Sequence, residues 1–171
     1  GQSGVPAELG PCVMIAAGDN HTAALRSDGT AICWGANQTG QATVPEGLGN
    51  CVSISAAGNR TAVIRNDGGI SGWGYGAYQL PPKSEWRPYV DISLGAYYIT
   101  ALDDQGQSSI FAQTTSGVGS PSAEATAAEA GGPYLSVAGG TTAALWLTPG
   151  GSLVSVGRDP RAQKVPHSLG P

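Results

Sequence analysis

Apolar residues come in short bursts along this chain, separated by Gly, Asp, Asn and Pro, and the bursts keep a fixed order. Residues 12–35 read CVMIAAGDNHTAALRSDGTAICWG, and residues 51–74 read CVSISAAGNRTAVIRNDGGISGWG, in register and without a gap, 39 residues later. Looser copies start at Tyr89 and Tyr134. A period of about 20–50 residues signals a repeat architecture. In each unit a first apolar position (Val13, Val52, Val90, Leu135) is followed two residues on by Ile15, Ile54, Ile92 or Val137. That alternation predicts a strand with both positions on one buried face. A second short strand carries Leu25, Ile64, Leu102 or Leu147. A turn follows at Asp28-Gly29, Asp67-Gly68, Gln105-Gly106 and Gly150-Gly151. Asp-Gly between apolar runs predicts a hairpin. The third strand ends on Trp34, Trp73, Phe111 or Val156, a fixed bulky place suited to a wedge between stacked units.

Linkers complete the pattern. Residues 1–11, GQSGVPAELGP, match 40–50, GQATVPEGLGN, and residues 165–171, VPHSLGP, match 5–11. A Val-Pro strand belongs at a sheet edge, because Pro has no backbone donor. Three strands plus this linker strand make a four-stranded antiparallel unit. The chain therefore reads as all-β, a β-propeller or partial propeller of about four such blades. It forms a single repeat domain over 1–171, with units at about 12–50, 51–88, 89–133 and 134–171 and a linker strand at 1–11. A Gly/Ser/Pro/Ala-rich insert at 113–133 reads as a mobile surface loop, with a helical turn or two at 122–130. Four units leave three arrangements open: a small closed ring, an arc completed by a partner or a second copy, or a fragment. The matching half-linkers favour a designed end point.

Composition narrows the function. Gly supplies 27 of 171 residues and Pro 12, as a turn-rich chain requires, and only 12% of residues are charged. The net charge of −4 argues against nucleic-acid binding, which needs a basic face. No apolar run is long enough to span a membrane. The three cysteines, Cys12, Cys33 and Cys51, lack metal-ligand spacing and read as buried thiols, with one disulfide plus a leftover thiol as the alternative. The chain opens on Gly1, which suggests a processed secreted or lumenal protein, or a fragment. Sequons occur at Asn20, Asn37 and Asn59.

The first unit resembles the repeat of the regulator-of-chromosome-condensation family. It carries Ala16-Ala17-Gly18, His21-Thr22, Ala24-Leu25, Asp28-Gly29 and Trp34-Gly35-Ala36-Asn37-Gln38-Thr39-Gly40-Gln41. The Val-Pro-linked form is also similar to the propeller-type β-lactamase inhibitory proteins. The second unit loses the Asn and the Gly-Gln pair, and the third ends on Phe111-Ala112 instead of Trp-Gly. The resemblance implies propellers usually of seven blades, function mostly by protein recognition through loops at one face, and a structural role for His21.

Candidate chemistry is thin. His21 and His167 read as structural, and Asp103-Asp104 as a solvated turn rather than a glycosidase pair. Asp19, Asp28 and Asp67 lack calcium-loop spacing. No catalytic residue, metal or cofactor is expected. Tyr75, Tyr78, Trp86, Arg87, Tyr89, Tyr97 and Tyr98 crowd together where the repeat pattern decays. Aromatic residues and Arg are the usual anchors of interfaces, so these are the candidate partner-binding residues, against the alternative that they fill packing gaps. The expected function is a non-enzymatic protein–protein interaction module, an accessory subunit of a larger assembly. The alternatives are a secreted enzyme inhibitor and, third, a small-GTPase exchange factor. The expected partner is a protein, or a second copy completing the propeller.

Overall fold

In a computed structural model, residues 1–76, 80, 84, 86–96, 98–112, 131–140 and 143–157 are described. Twelve strands form four antiparallel sheets, each of three consecutive strands. The first sheet is β1 (Cys12–Ala17), β2 (His21–Arg26) and β3 (Ala31–Gly35), and the second is β4 (Cys51–Ala57), β5 (Arg60–Arg65) and β6 (Ile70–Gly74). The third is β7 (Tyr89–Leu94), β8 (Tyr98–Asp103) and β9 (Ser108–Ala112), and the fourth is β10 (Ser136–Gly139), β11 (Ala143–Leu147) and β12 (Leu153–Gly157). This is a partial β-propeller. Residues 113–130 of the 113–133 insert, with its expected helical turns at 122–130, and His167 lie outside the described residues.

The hairpin between the second and third strands turns on the expected glycines. Gly29, Gly68, Gly106 and Gly151 all take positive φ, from 73° to 84°, a conformation that costs glycine nothing. Asp28 and Asp67 tighten their turns by accepting the amides of Thr30 and Gly69 at 2.9 and 3.0 Å. The backbone amide of Thr30, and the Thr30 hydroxyl after it, hold the Asp28 carboxyl below its usual range.

Three expectations need correction. The linkers are not strands: residues 1–11 and 40–50 run as turns and coil, so the blades described have three strands rather than four. Their prolines and positive-φ glycines deny them a ladder. Second, Val13 and Ile15 do not share a face. The register of β1 on β2 slips between Cys12 and Met14, that of β4 on β5 between Cys51 and Ser53, and that of β7 on β8 between Tyr89 and Asp91. One extra residue in the inner strand is a β-bulge, and it reverses the alternation. Val13, Val52 and Val90 thus point outward at 64, 46 and 55% exposure, and Leu135, just before β10, is 61% exposed. The residues before them, Cys51, Tyr89 and Tyr134, enter the core instead. Third, the Trp34 side chain is no buried wedge. It is half-buried, and its indole N–H donates to Gln2 O at 2.8 Å. Trp73 repeats the bond to Gln41 O at 3.1 Å but also packs on the core between the first two blades.

The core lies between blades rather than within them. Ala23, Leu25 and Ala31 of the first blade pack on Cys51, Ile54 and Val63 of the second, with Val44 and Leu48 of the linker alongside. Ala62, Ile64 and Ile70 pack on Tyr89, Ile92, Leu94 and Ala101. Leu102 packs on Tyr134, Val137, Ala144 and Trp146. Odd-numbered places on the middle strand therefore face the following blade, and even-numbered places the preceding one. The inner strands pack in sequence, β1 on β4, β4 on β7 and β7 on β10, and among the described residues no comparable packing joins the fourth sheet to the first. The described blades form an open arc, and Ile15, whose counterparts Ile54, Ile92 and Val137 are at most 7% exposed, is 79% exposed.

Candidate interaction surface

Polar clamps align the blades at the end where the first strand turns into the second. Thr61 donates its hydroxyl proton to Gln41 O at 2.9 Å, so its oxygen accepts from His21 Nε2–H across the junction, also at 2.9 Å. This fixes the His21 tautomer. The ring packs against Gly18, where a Cβ would overlap the imidazole. Burial at 1% exposure pushes the His21 pKa down. Tyr98 occupies the same repeat position in the third blade. Its ring lies on Gly95, and its hydroxyl donates to Gly140 O at 3.0 Å and Ala143 O at 2.8 Å in the fourth blade. Serines on the inner strands add rungs: Leu94 N–H donates to Ser55 Oγ at 3.0 Å, and Gly139 N–H to Ser93 Oγ at 2.7 Å.

An open cleft of about 600 Å³ lies at this end of the arc. Its rim includes Asp19, Asn59, Arg60, Tyr75, Ser93 and Gly140, drawn from all four blades. Tyr75 follows β6 and is 57% exposed. Its backbone N–H is tied to Asn59 O at 2.9 Å, which holds the main chain at Tyr75 while the side chain stays exposed.

The five described residues of the seven selected from sequence do not form one patch. Tyr75 and Tyr98 stand at the cleft end, and Trp86, Arg87 and Tyr89 at the opposite, hairpin end. Six-residue strands such as β5 and β7 separate the two ends, a span of about 20 Å. Tyr89 is 4% exposed, edge-on to Phe111 at 5.9 Å, with its hydroxyl on Ser109 at 3.2 Å. It therefore presents no ring to a partner; the gap-filling alternative describes it. Tyr98 is half-buried and its hydroxyl is already used between blades. Trp86 lies under the Arg65 guanidinium, 4.4 Å from the ring centre, and the exposed Arg87 pairs with Asp103 at 3.4 Å. Tyr78 and Tyr97 lie outside the described residues. Asp103 is not solvated: it is 6% exposed and accepts the amides of Gln105 and Gln107 at 3.0 and 2.8 Å.

Sequence reasoning missed Asp19 and Asn59 as neighbours of Tyr75. The signal was available, because both lie in the loop that joins the first and second strands of each unit. The three cysteines are free thiols, Cys51 buried and the others half-buried, and burial pushes Cys33 up to about 11.

Comparison with known proteins agrees with this architecture. Residues 13–41 match the model of the regulator of chromosome condensation (RCC1) repeat. No curated protein matches the chain by sequence. Among solved structures, human WBSCR16 superposes with a TM-score of 0.70 at 16% identity, over 93% of this chain and 50% of that one. The ectodomain of the receptor kinase CR4 from Physcomitrella patens gives 0.66 at 20% identity, over 86% and 38%. Prp20p from Saccharomyces cerevisiae, whose binding to Gsp1p and histones has been described, gives 0.64 at 18% identity, over 85% and 44%. The chain thus spans half or less of each of these relatives. It carries an RCC1 repeat at residues 13–41 and folds as a partial β-propeller of the RCC1 type.

Proposed function

We propose that this chain is a non-enzymatic protein–protein interaction module, acting as an accessory subunit of a larger assembly. The observation that carries this reading is Tyr75. It is an exposed aromatic ring held at the mouth of a cleft to which all four blades contribute. Its hydroxyl forms no hydrogen bond among the described residues. A ring on a fixed backbone loses little entropy when a partner covers it, which is why Tyr is common at interface centres. The exposed Asp19, which lines the same cleft, supplies a negative charge to orient a polar segment of the partner.

The test is the native particle, isolated without denaturation from its source. A particle heavier than one chain with a defined companion is expected. Tyr75→Ala should release that companion while leaving the melting temperature within about 1–2 °C, as for a surface substitution. Retention of the companion by Tyr75→Ala would remove the cleft from the argument.

A further inference from the structure

One repeated contact in the cleft is closed at two junctions and open at the third. The first strand of each blade is an edge of its sheet, so the amides on its free side have no ladder partner. Ala56, Leu94 and Gly139 occupy the same place on three of these strands. One residue further on, Gly95 and Gly140 donate into their own hairpins, to Tyr98 O and Ala143 O, each at 2.8 Å. Ladder bonding alternates along an antiparallel pair, so the amides of Leu94 and Gly139 point out of the sheet. There they donate to Ser55 Oγ and Ser93 Oγ of the preceding blade. Ala56 has the same parity in the second blade, where it stands opposite Thr61 and one residue before the Ala57–Arg60 pair. The residue of the first blade in the place of Ser55 and Ser93 is Ala16. It packs on the same core cluster as Ala56 but has no oxygen to offer. Among the described residues, nothing accepts the Ala56 amide.

The open donor faces a usable space. Ser55, Ala56, Ser93, Leu94 and Gly139 all line the cleft. Ala56 is half-buried, and an amide partly withdrawn from water without a partner loses free energy that an incoming oxygen restores. The two closed junctions show what fits: a neutral oxygen on a short side chain. The exposed carboxylate of Asp19 in the same cleft disfavours an anion. Ala17, Gly18, Ala57 and Gly58 line the cleft beside Ala56, and such small residues let a main chain come close.

We infer that the Ala56 N–H is a hydrogen-bond subsite for an uncharged oxygen of a partner polypeptide, a backbone carbonyl or a serine or threonine hydroxyl, in the place that Ser55 and Ser93 fill elsewhere. This rests on the reading of the Tyr75 cleft as a protein-binding surface and adds the chemistry of the segment that enters it.

The experiment is amide NMR on the full chain, with the uncharged peptide acetyl-Ala-Ser-Leu-Ser-Ala-amide as ligand. In the free chain the Ala56 amide should exchange with solvent at least about tenfold faster than those of Leu94 and Gly139. Ala16→Ser should slow it to their level, and Ser55→Ala should free the Leu94 amide in turn. Peptide up to about 10 mM should shift the wild-type Ala56 amide proton saturably. Ala16→Ser should abolish that shift and raise the dissociation constant about three- to tenfold, the worth of one hydrogen bond. A peptide with both serines replaced by alanine assigns the oxygen: a retained shift means a main-chain carbonyl, a lost one a hydroxyl. A slowly exchanging Ala56 amide in the free chain would overturn the inference, because the chain itself would then supply the acceptor. So would the absence of a saturable shift in wild type, equal peptide affinity in Ala16→Ser, or a response to acetate or methyl glucoside in place of the peptide. The wild-type shift decides the matter even if Ala16→Ser loses its fold. Should Tyr75→Ala keep its companion while Ala56 responds to peptide, the reading of the cleft fails and the subsite stands. Should Tyr75→Ala release the companion while Ala56 ignores peptide, the reading stands and the subsite fails.

Discussion

His21, Arg60 and Tyr98 occupy one repeat position, and two of them show its use: each lays a ring on a glycine and sends a polar atom into the next blade. Burial opposes the imidazolium of His21, so the folded chain takes up that proton at lower pH than the unfolded chain. The stability contributed by neutral His21 is complete above the ordinary histidine value near 6.5 and is lost progressively as pH falls below it. Wild type should therefore lose more melting temperature than His21→Gln between about pH 7.5 and 5.5. Parallel pH profiles would place the acid sensitivity elsewhere. Tyr98→Phe removes one bridging hydroxyl and should cost about 1 kcal/mol in denaturant unfolding. Tyr89→Ala should cost about 3–5 kcal/mol, since it empties a core site. The linear clustering of the tyrosines hid this difference, and repeat register would have exposed it: Tyr89 stands where Cys12 and Cys51 stand, and Tyr98 where His21 stands.

At the scale of the element, strands and hairpins were legible because their determinants are local. Alternation marks a strand, and Gly at a fixed place marks a turn that needs positive φ. The blade face of each inner strand was not legible. A single bulge residue after Cys12, Cys51 and Tyr89 transfers every later side chain to the other side of the sheet, and nothing in Val13, Val52 or Val90 announces it. The linkers were misread for a related reason: their Val-Pro pairs look extended, but they serve as acceptors for indoles rather than as ladder partners. Equivalent tryptophans consequently differ in weight. Trp73→Ala should cost about 3 kcal/mol, because the ring packs on the core between the first two blades. Trp34→Ala should cost less, since the Trp34 ring joins none of the core clusters among the described residues. Equal losses in urea unfolding would mean that the residues before Cys12 bury Trp34 as well as a blade would.

At the scale of the molecule, stability belongs to junctions. Each of the three core clusters joins two neighbouring blades, so the arc behaves as a row of nearest-neighbour contacts rather than as one centre. The His21 clamp and the Tyr98 clamp lie in different junctions, so His21→Gln and Tyr98→Phe should be additive within about 0.5 kcal/mol. A larger coupling energy in the double-mutant cycle would show that the junctions communicate. The candidate site is a property of this scale too. The cleft gathers Asp19 from the first blade with Asn59 and Tyr75 from two loops of the second, which is why reading along the chain found only the tyrosine.

The carbonyls of Gln2 and Gln41 each hold two donors from the blade that follows, a threonine hydroxyl and a tryptophan indole. A linker therefore belongs to the blade downstream of it. The natural unit of duplication, transplantation or deletion starts at the glutamine and ends before the next one, so that it carries its own clasp. Arrays shortened or lengthened by cutting between Gly40 and Gln41 keep every clasp whole. Those cut just before Cys51 leave one blade without its acceptor and another trailing a linker it cannot use.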